Sequence, residues 1–89
     1  MPQAIVDPDD LRQFAMTLRK FNSQLRQSLT SLNHQLGVLG TTWRDQEHKR
    51  FVEQFENYAK VIARFTEDGD QHVRYLIRKA EHIDEYLKS

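Results

Sequence analysis

Apolar residues return every three or four positions along this chain, and the rhythm fails only around Gly37–Trp43. The first run is Leu11, Phe14, Leu18, Phe21, Leu25, Leu29, Leu32, Leu36 and Leu39. The second is Phe51, Phe55, Tyr58, Ile62, Phe65, Gly69, Val73, Leu76, Ala80, Ile83 and Leu87. Such spacing keeps one face of an α-helix apolar, and each run holds one 4–4 step, at Leu25 and at Gly69, that reads as a stutter. The pattern predicts an all-α chain with helices over about 8–38 and 43–88, joined by a link so short that they must run antiparallel. All 89 residues then belong to one helical hairpin domain.

Local signals agree with this division. Asp7 reads as an N-cap, Pro8 as the first helical residue, and Asp9 and Asp10 as first-turn carboxylates. Gly37 or Gly40 can end the first helix in a left-handed conformation. Thr42 can cap the second, with Asp45 three residues on. Glu67-Asp68-Gly69-Asp70 is the weak point of the second helix. Gly inside a helix costs about 1 kcal/mol against Ala, and a kink near Gly69 or a third helix capped by Asp70 is the alternative to one continuous helix. At about 45 residues against about 30, the second helix is expected to overhang at its C-terminal end, leaving Leu76, Ile77, Ile83 and Leu87 without an intramolecular partner.

Composition narrows the function. The chain has no cysteine, so neither a disulfide nor a Cys-based zinc site can support so small a core. Formal net charge is zero. Residues 1–42 hold four basic and three acidic side chains, and residues 43–89 hold nine and ten. No clustered basic footprint marks a nucleic-acid surface. No run of about 18 apolar residues reads as a membrane span. The segment Met1–Pro8 lacks the basic and apolar regions of a secretory leader, so the chain is expected to be cytoplasmic as synthesised, with any export proceeding without a signal peptide.

His34, His48, His72 and His82 include no pair at i, i+4 and no His-Glu-X-X-His run, and Asp68 with His72 gives only two ligands. No nucleophile–base arrangement or phosphate loop can be traced. The expectation is a protein that is not an enzyme and holds no cofactor or metal. Glu56–Lys60, Asp70–Arg74 and Asp84–Lys88 have the favourable i, i+4 order of a solvated helix face.

The apolar stripe is wider than one neighbouring helix requires. Ala15 and Met16 flank it on the first helix, and Val52, Ala59, Val61, Ala63 and Ile77 on the second. A lone hairpin would leave a large wet apolar patch, which soluble monomers avoid. Two hairpins packed into a four-helix bundle would cover it. The expected contact residues are Phe14, Leu18, Leu25, Phe55, Ile62, Phe65, Leu76 and Ile83. The partner is a second copy by default, or a similar hairpin in a heterodimer.

The layout also resembles a known family. A helix of leucine repeats, a short turn carrying Trp and a longer second helix are similar to the WXG100 (ESAT-6-like) proteins. Their hallmark is a Trp-X-Gly turn followed about two turns later by an aromatic residue. Here the turn reads Gly40-Thr41-Thr42-Trp43-Arg44-Asp45, and Phe51 stands eight residues after Trp43. Asp45 replaces the family's Gly. The C-terminal Tyr-X-X-X-Asp/Glu export signal of type VII substrates is not matched: Ile62 follows Tyr58 at plus four, Lys79 follows Tyr75, and Tyr86 is too near the end. The resemblance implies a non-enzymatic dimeric interaction module, a type VII secretion substrate or adaptor, with a secretion ATPase or a larger effector as further partners. Trp43 either plugs the end of the hairpin or sits in a notch that such a partner reads. The alternative is a cytosolic structural subunit that docks a larger protein through its C-terminal arm and is not exported.

Overall fold

The computed structural model describes residues 6–88 and contains two helices, α1 (Pro8–Leu39) and α2 (Gln46–Lys88), packed as an antiparallel hairpin. The reading of the chain start as leaderless falls largely on residues 1–5, outside the described residues. α1 begins as its sequence dictates: Asp7 has extended backbone, its carboxylate accepts from the Asp9 amide at 2.9 Å, and Pro8 opens the helix. α2 is one helix of 43 residues that passes through Gly69 without a break. Asp70 caps nothing there and is engaged by α1 instead.

The turn differs from expectation in two ways. No described residue has positive φ; Gly40 is right-handed at φ −64° and ψ −13°. The end of α1 is closed by tightened backbone bonds from Thr41 to Val38 (3.0 Å), Thr42 to Leu39 (3.1 Å) and Trp43 to Leu39 (2.9 Å). Gly40 matters for space: a Cβ there would stand 3.3 Å from Cε1 of His48. Thr42 does not cap α2 either, since its hydroxyl donates back to the Leu39 carbonyl. The cap is Asp45, whose carboxylate accepts from the His48 amide at 3.0 Å, so α2 starts at Gln46 rather than at 43.

The contacts between the helices redraw the seam. Its most buried members are Ala15 and Asn22 on α1 and Thr66, Gly69, Val73 and Ala80 on α2. With the half-buried leucines these give α1 the line Leu11, Ala15, Leu18, Asn22, Leu25, Leu29 and Leu36. On α2 the line is His48, Val52, Phe55, Ala59, Ile62, Thr66, Gly69, Val73, Leu76, Ala80 and Ile83. Both lines keep the 4-and-3 rhythm without a stutter, α1 passing over the exposed Leu32 between Leu29 and Leu36, as in two helices wound on each other. The stutters came from counting Phe14, Phe21, Phe51, Tyr58 and Phe65 in the seam. They lie beside it, and Ala15, Val52 and Ala59, read as flanks, lie inside. Close helix approach favours small residues at the contact, and bulky rings fit better at the margin.

Cross-helix pairs fix the register. Arg12 pairs with Asp84, Arg26 with Asp70 at 2.7 Å, and Asn22 meets Thr66 and Asp70. Asp84 and Asp70 therefore pair with α1, while Arg74 of their own helix still adds its charge to Asp70. The C-terminal stretch of α2 is not a free arm: Ala80 is fully buried and Ile83 half-buried beside the start of α1. The long axis of 66 Å is about that of a 43-residue helix at about 1.5 Å per residue. α1, with 32 residues, lies within that span. Residues 40–45 run back beside the first turns of α2, and with Asn22 over Gly69 the start of α1 at Pro8 stands level with Ile83. The expected C-terminal overhang is thus shortened to the last residues of α2, where Tyr86 and Leu87 are exposed.

Candidate protein–protein interface

The two edges of the seam differ in chemistry. One carries the ion pairs Arg12–Asp84 and Arg26–Asp70. Asp84 hydrogen-bonds the Arg12 guanidinium and raises its pKa above the ordinary arginine value. Arg26, with help from the Asn22 amide and the charge of Arg74, holds the Asp70 carboxyl below the usual carboxylate range against its partial desolvation. That edge is closed by polar contacts the chain makes with itself.

The other edge is aromatic. Phe14 on α1 is 59% exposed, and Phe21 (50%) meets Phe65 of α2 (53%) edge to face, with ring centroids 6.4 Å apart. On α2 a run of rings continues from the turn, Trp43–Phe51 at 5.7 Å, Phe51–Phe55 at 6.5 Å and Phe55–Tyr58 at 6.5 Å. Tyr58 and its neighbour Val61 are among the most exposed large apolar side chains. Toward the turn, Leu32, Gln35, Leu36, Leu39, Phe51 and Phe55 form a groove of about 350 Å³. The heptad explains this division: residues one place before a seam position lie on one edge of the hairpin, and those one place after it lie on the other.

The expected contact residues therefore separate into two sets. Phe14 and Phe65 stand on the open edge. Leu18, Leu25, Phe55, Ile62, Leu76 and Ile83 are half-buried and belong to the seam joining α1 to α2, with Phe55 also reaching the groove. Phe21, Tyr58 and Val61 were not among them, and what identifies them is their position one heptad from Phe14 or Phe65, or one turn from Tyr58. In the turn, Trp43 is half-buried and packs on His48 (5.1 Å, 64°) and Phe51, and Arg44 donates to the Thr41 carbonyl. The ring thus plugs the turn end of α2. It also lines a shallow hollow with Glu47, Arg50, Phe51 and Gln54, so the notch reading keeps a physical basis.

Among the described residues no group of three or more His, Cys, Asp or Glu side chains is placed to hold a metal ion. No described helix is long and apolar enough to cross a membrane.

Two heptad helices joined by a Trp-bearing turn make this a small helical hairpin protein. The family model described as "WXG100: Proteins of 100 residues with WXG" matches residues 3–86, nearly the whole chain, and the chain belongs to that family. No curated protein matches it. Asp45, two residues after Trp43, caps α2.

Proposed function

We propose that this chain is a non-enzymatic WXG100-type interaction module that pairs, through its aromatic edge, with a second copy of itself to form a four-helix bundle. The observation that carries the reading is the asymmetry of the hairpin: one edge is closed by its own ion pairs, and the other leaves Phe14, Phe21, Tyr58 and Phe65 about half exposed or more. Burial of apolar area contributes roughly 25 cal/mol per Å². The edge carries no charge on α1 at Phe14, Phe21, Ser28 and Gln35, so this helix adds no like-charge repulsion between two copies. A similar hairpin from another chain would cover the same edge in a heterodimer.

Family membership supports a role as a type VII secretion substrate or adaptor, exported without a cleaved leader from the cytoplasm in which it is made. A secretion ATPase or a larger effector would then meet the turn around Trp43. Thiol protection tests the pairing, since the sequence has no cysteine of its own. Val61→Cys, beside Tyr58 and Phe65, is expected to lose reactivity as protein concentration rises, while Met16→Cys, exposed on the back of α1, stays reactive. Equal reactivity of both sites at all concentrations contradicts the proposal.

A further inference from the structure

We propose that Asn22, seated over Gly69, is the residue that fixes the register of α1 on α2 and so positions the aromatic edge. Asn22 is 1% exposed, in the middle of an otherwise apolar line. Its Nδ2 donates to the Thr66 carbonyl at 3.4 Å and to Oδ1 of Asp70 at 3.2 Å, and Asp70 is in turn held by Arg26. The amide fits only because position 69 has no side chain: a Cβ there would lie 2.4 Å from Nδ2. The Oδ1 of Asn22 accepts no hydrogen bond among the described residues, so the layer is maintained at a cost in stability.

That cost has a return in specificity, because the rest of the seam is repetitive. The seam residues Leu11, Leu18 and Leu25 are seven residues apart, and the exposed Leu32 and Leu39 continue the series, so a slip of one heptad replaces leucine by leucine along this line. The connection does not forbid such a slip. The first turns of α2 run past the end of α1 and can unwind to supply chain. A slip does, however, set Asn22 against Ile62 or Leu76 in place of Gly69, and Arg26 against Ala63 or Ile77 in place of Asp70. An amide buried without partners is unfavourable, and one polar residue in a heptad seam is a known means of choosing register. Phe21 would also leave Phe65, so the register sets which rings share the open edge.

The inference concerns the hairpin itself and stands whether or not the partner is a second copy. The test is a spin-label distance in the full chain, with labels at Gln13→Cys near the open end and Asn57→Cys near the turn, diluted with unlabelled protein so that only distances within one chain register. With Asn22 present, one distance is expected. With Asn22→Leu, a second population displaced by about 10 Å, one heptad of helical rise, is expected, with helix content retained. Asn22→Ala repeats the test without added bulk, should the leucine variant not fold. Arg26→Gln with Asp70→Asn, keeping Asn22, is expected to retain the single distance. One unchanged distance in the Asn22 variants overturns the proposal, and so does a split of equal size when only the ion pair is removed.

Discussion

Replacing Gly69 by Ala sets two opposed effects against each other. In a free helix interior Ala is favoured over Gly by about 1 kcal/mol. In this hairpin the new methyl would lie 2.4 Å from Nδ2, 3.0 Å from Oδ1 and 3.1 Å from Cγ of Asn22. The amide is 1% exposed and short, so it cannot turn out to water without moving α1. It would lose its bonds to Thr66 and Asp70. A buried amide left unpaired costs about 1–3 kcal/mol, and overpacking a seam costs about as much again. After subtracting the helix gain, Gly69→Ala should destabilise by roughly 1–5 kcal/mol. Urea unfolding followed by circular dichroism at fixed protein concentration should show a lower midpoint at unchanged slope. Adding Asn22→Ala should recover part of the loss, because the clash and the orphaned amide disappear together. An increase in stability of about 1 kcal/mol, the behaviour of an unconstrained helical glycine, would refute the placement of Asn22 over Gly69.

Three further outcomes follow from neighbouring features. Gly37→Ala should do the opposite of Gly69→Ala and stabilise by about 0.5–1 kcal/mol, since nothing lies within 4 Å of its added Cβ; thermal melts of the two variants side by side check the sign. Asp45→Ala should cost about 1 kcal/mol through the lost cap on His48, whereas Asp45→Gly, the family's residue, should cost only a few tenths; urea midpoints distinguish them. Because the folded-state pKa of Asp70 is depressed, its stabilising effect is complete above the unfolded carboxylate value of about 3.9 and fades as pH falls toward the lower folded value. Asp70→Asn should flatten that acid limb in a pH series of urea midpoints.

How much of this was legible in the sequence depended on which property the residues shared. Helicity, the antiparallel return and the position of the turn follow from 3–4 spacing and its single failure, properties that any apolar residue reports. The seam did not follow, because hydrophobicity alone ranks Phe14 and Phe21 above Ala15 and Asn22. Packing ranks them the other way, since two helix backbones approach closely where side chains are small or where an amide meets a glycine. The same confusion produced two stutters that the helices do not have. The cap at Asp45 was visible as a first-turn carboxylate, but Thr42 competed for the role until its hydroxyl was found on α1. The C-terminal overhang was overestimated because the start of α2 was set level with the end of α1, whereas its first turns lie beyond Leu39. Arg12 and Arg26 hold the information that corrects it, but only once Asp84 and Asp70 are known to face them. The open aromatic edge was legible as excess width, but its members emerge only after the seam is assigned.

Sedimentation equilibrium over a micromolar range, comparing the wild-type chain with a Phe21→Ser, Phe65→Ser variant, tests the pairing through the aromatic edge most directly. The account predicts a dimer for the wild type and a helical monomer for the variant, because Phe21 and Phe65 leave about half their surface exposed within the hairpin. A wild-type chain that stays a folded monomer across the range, or a variant that dimerises as tightly as wild type, would contradict it.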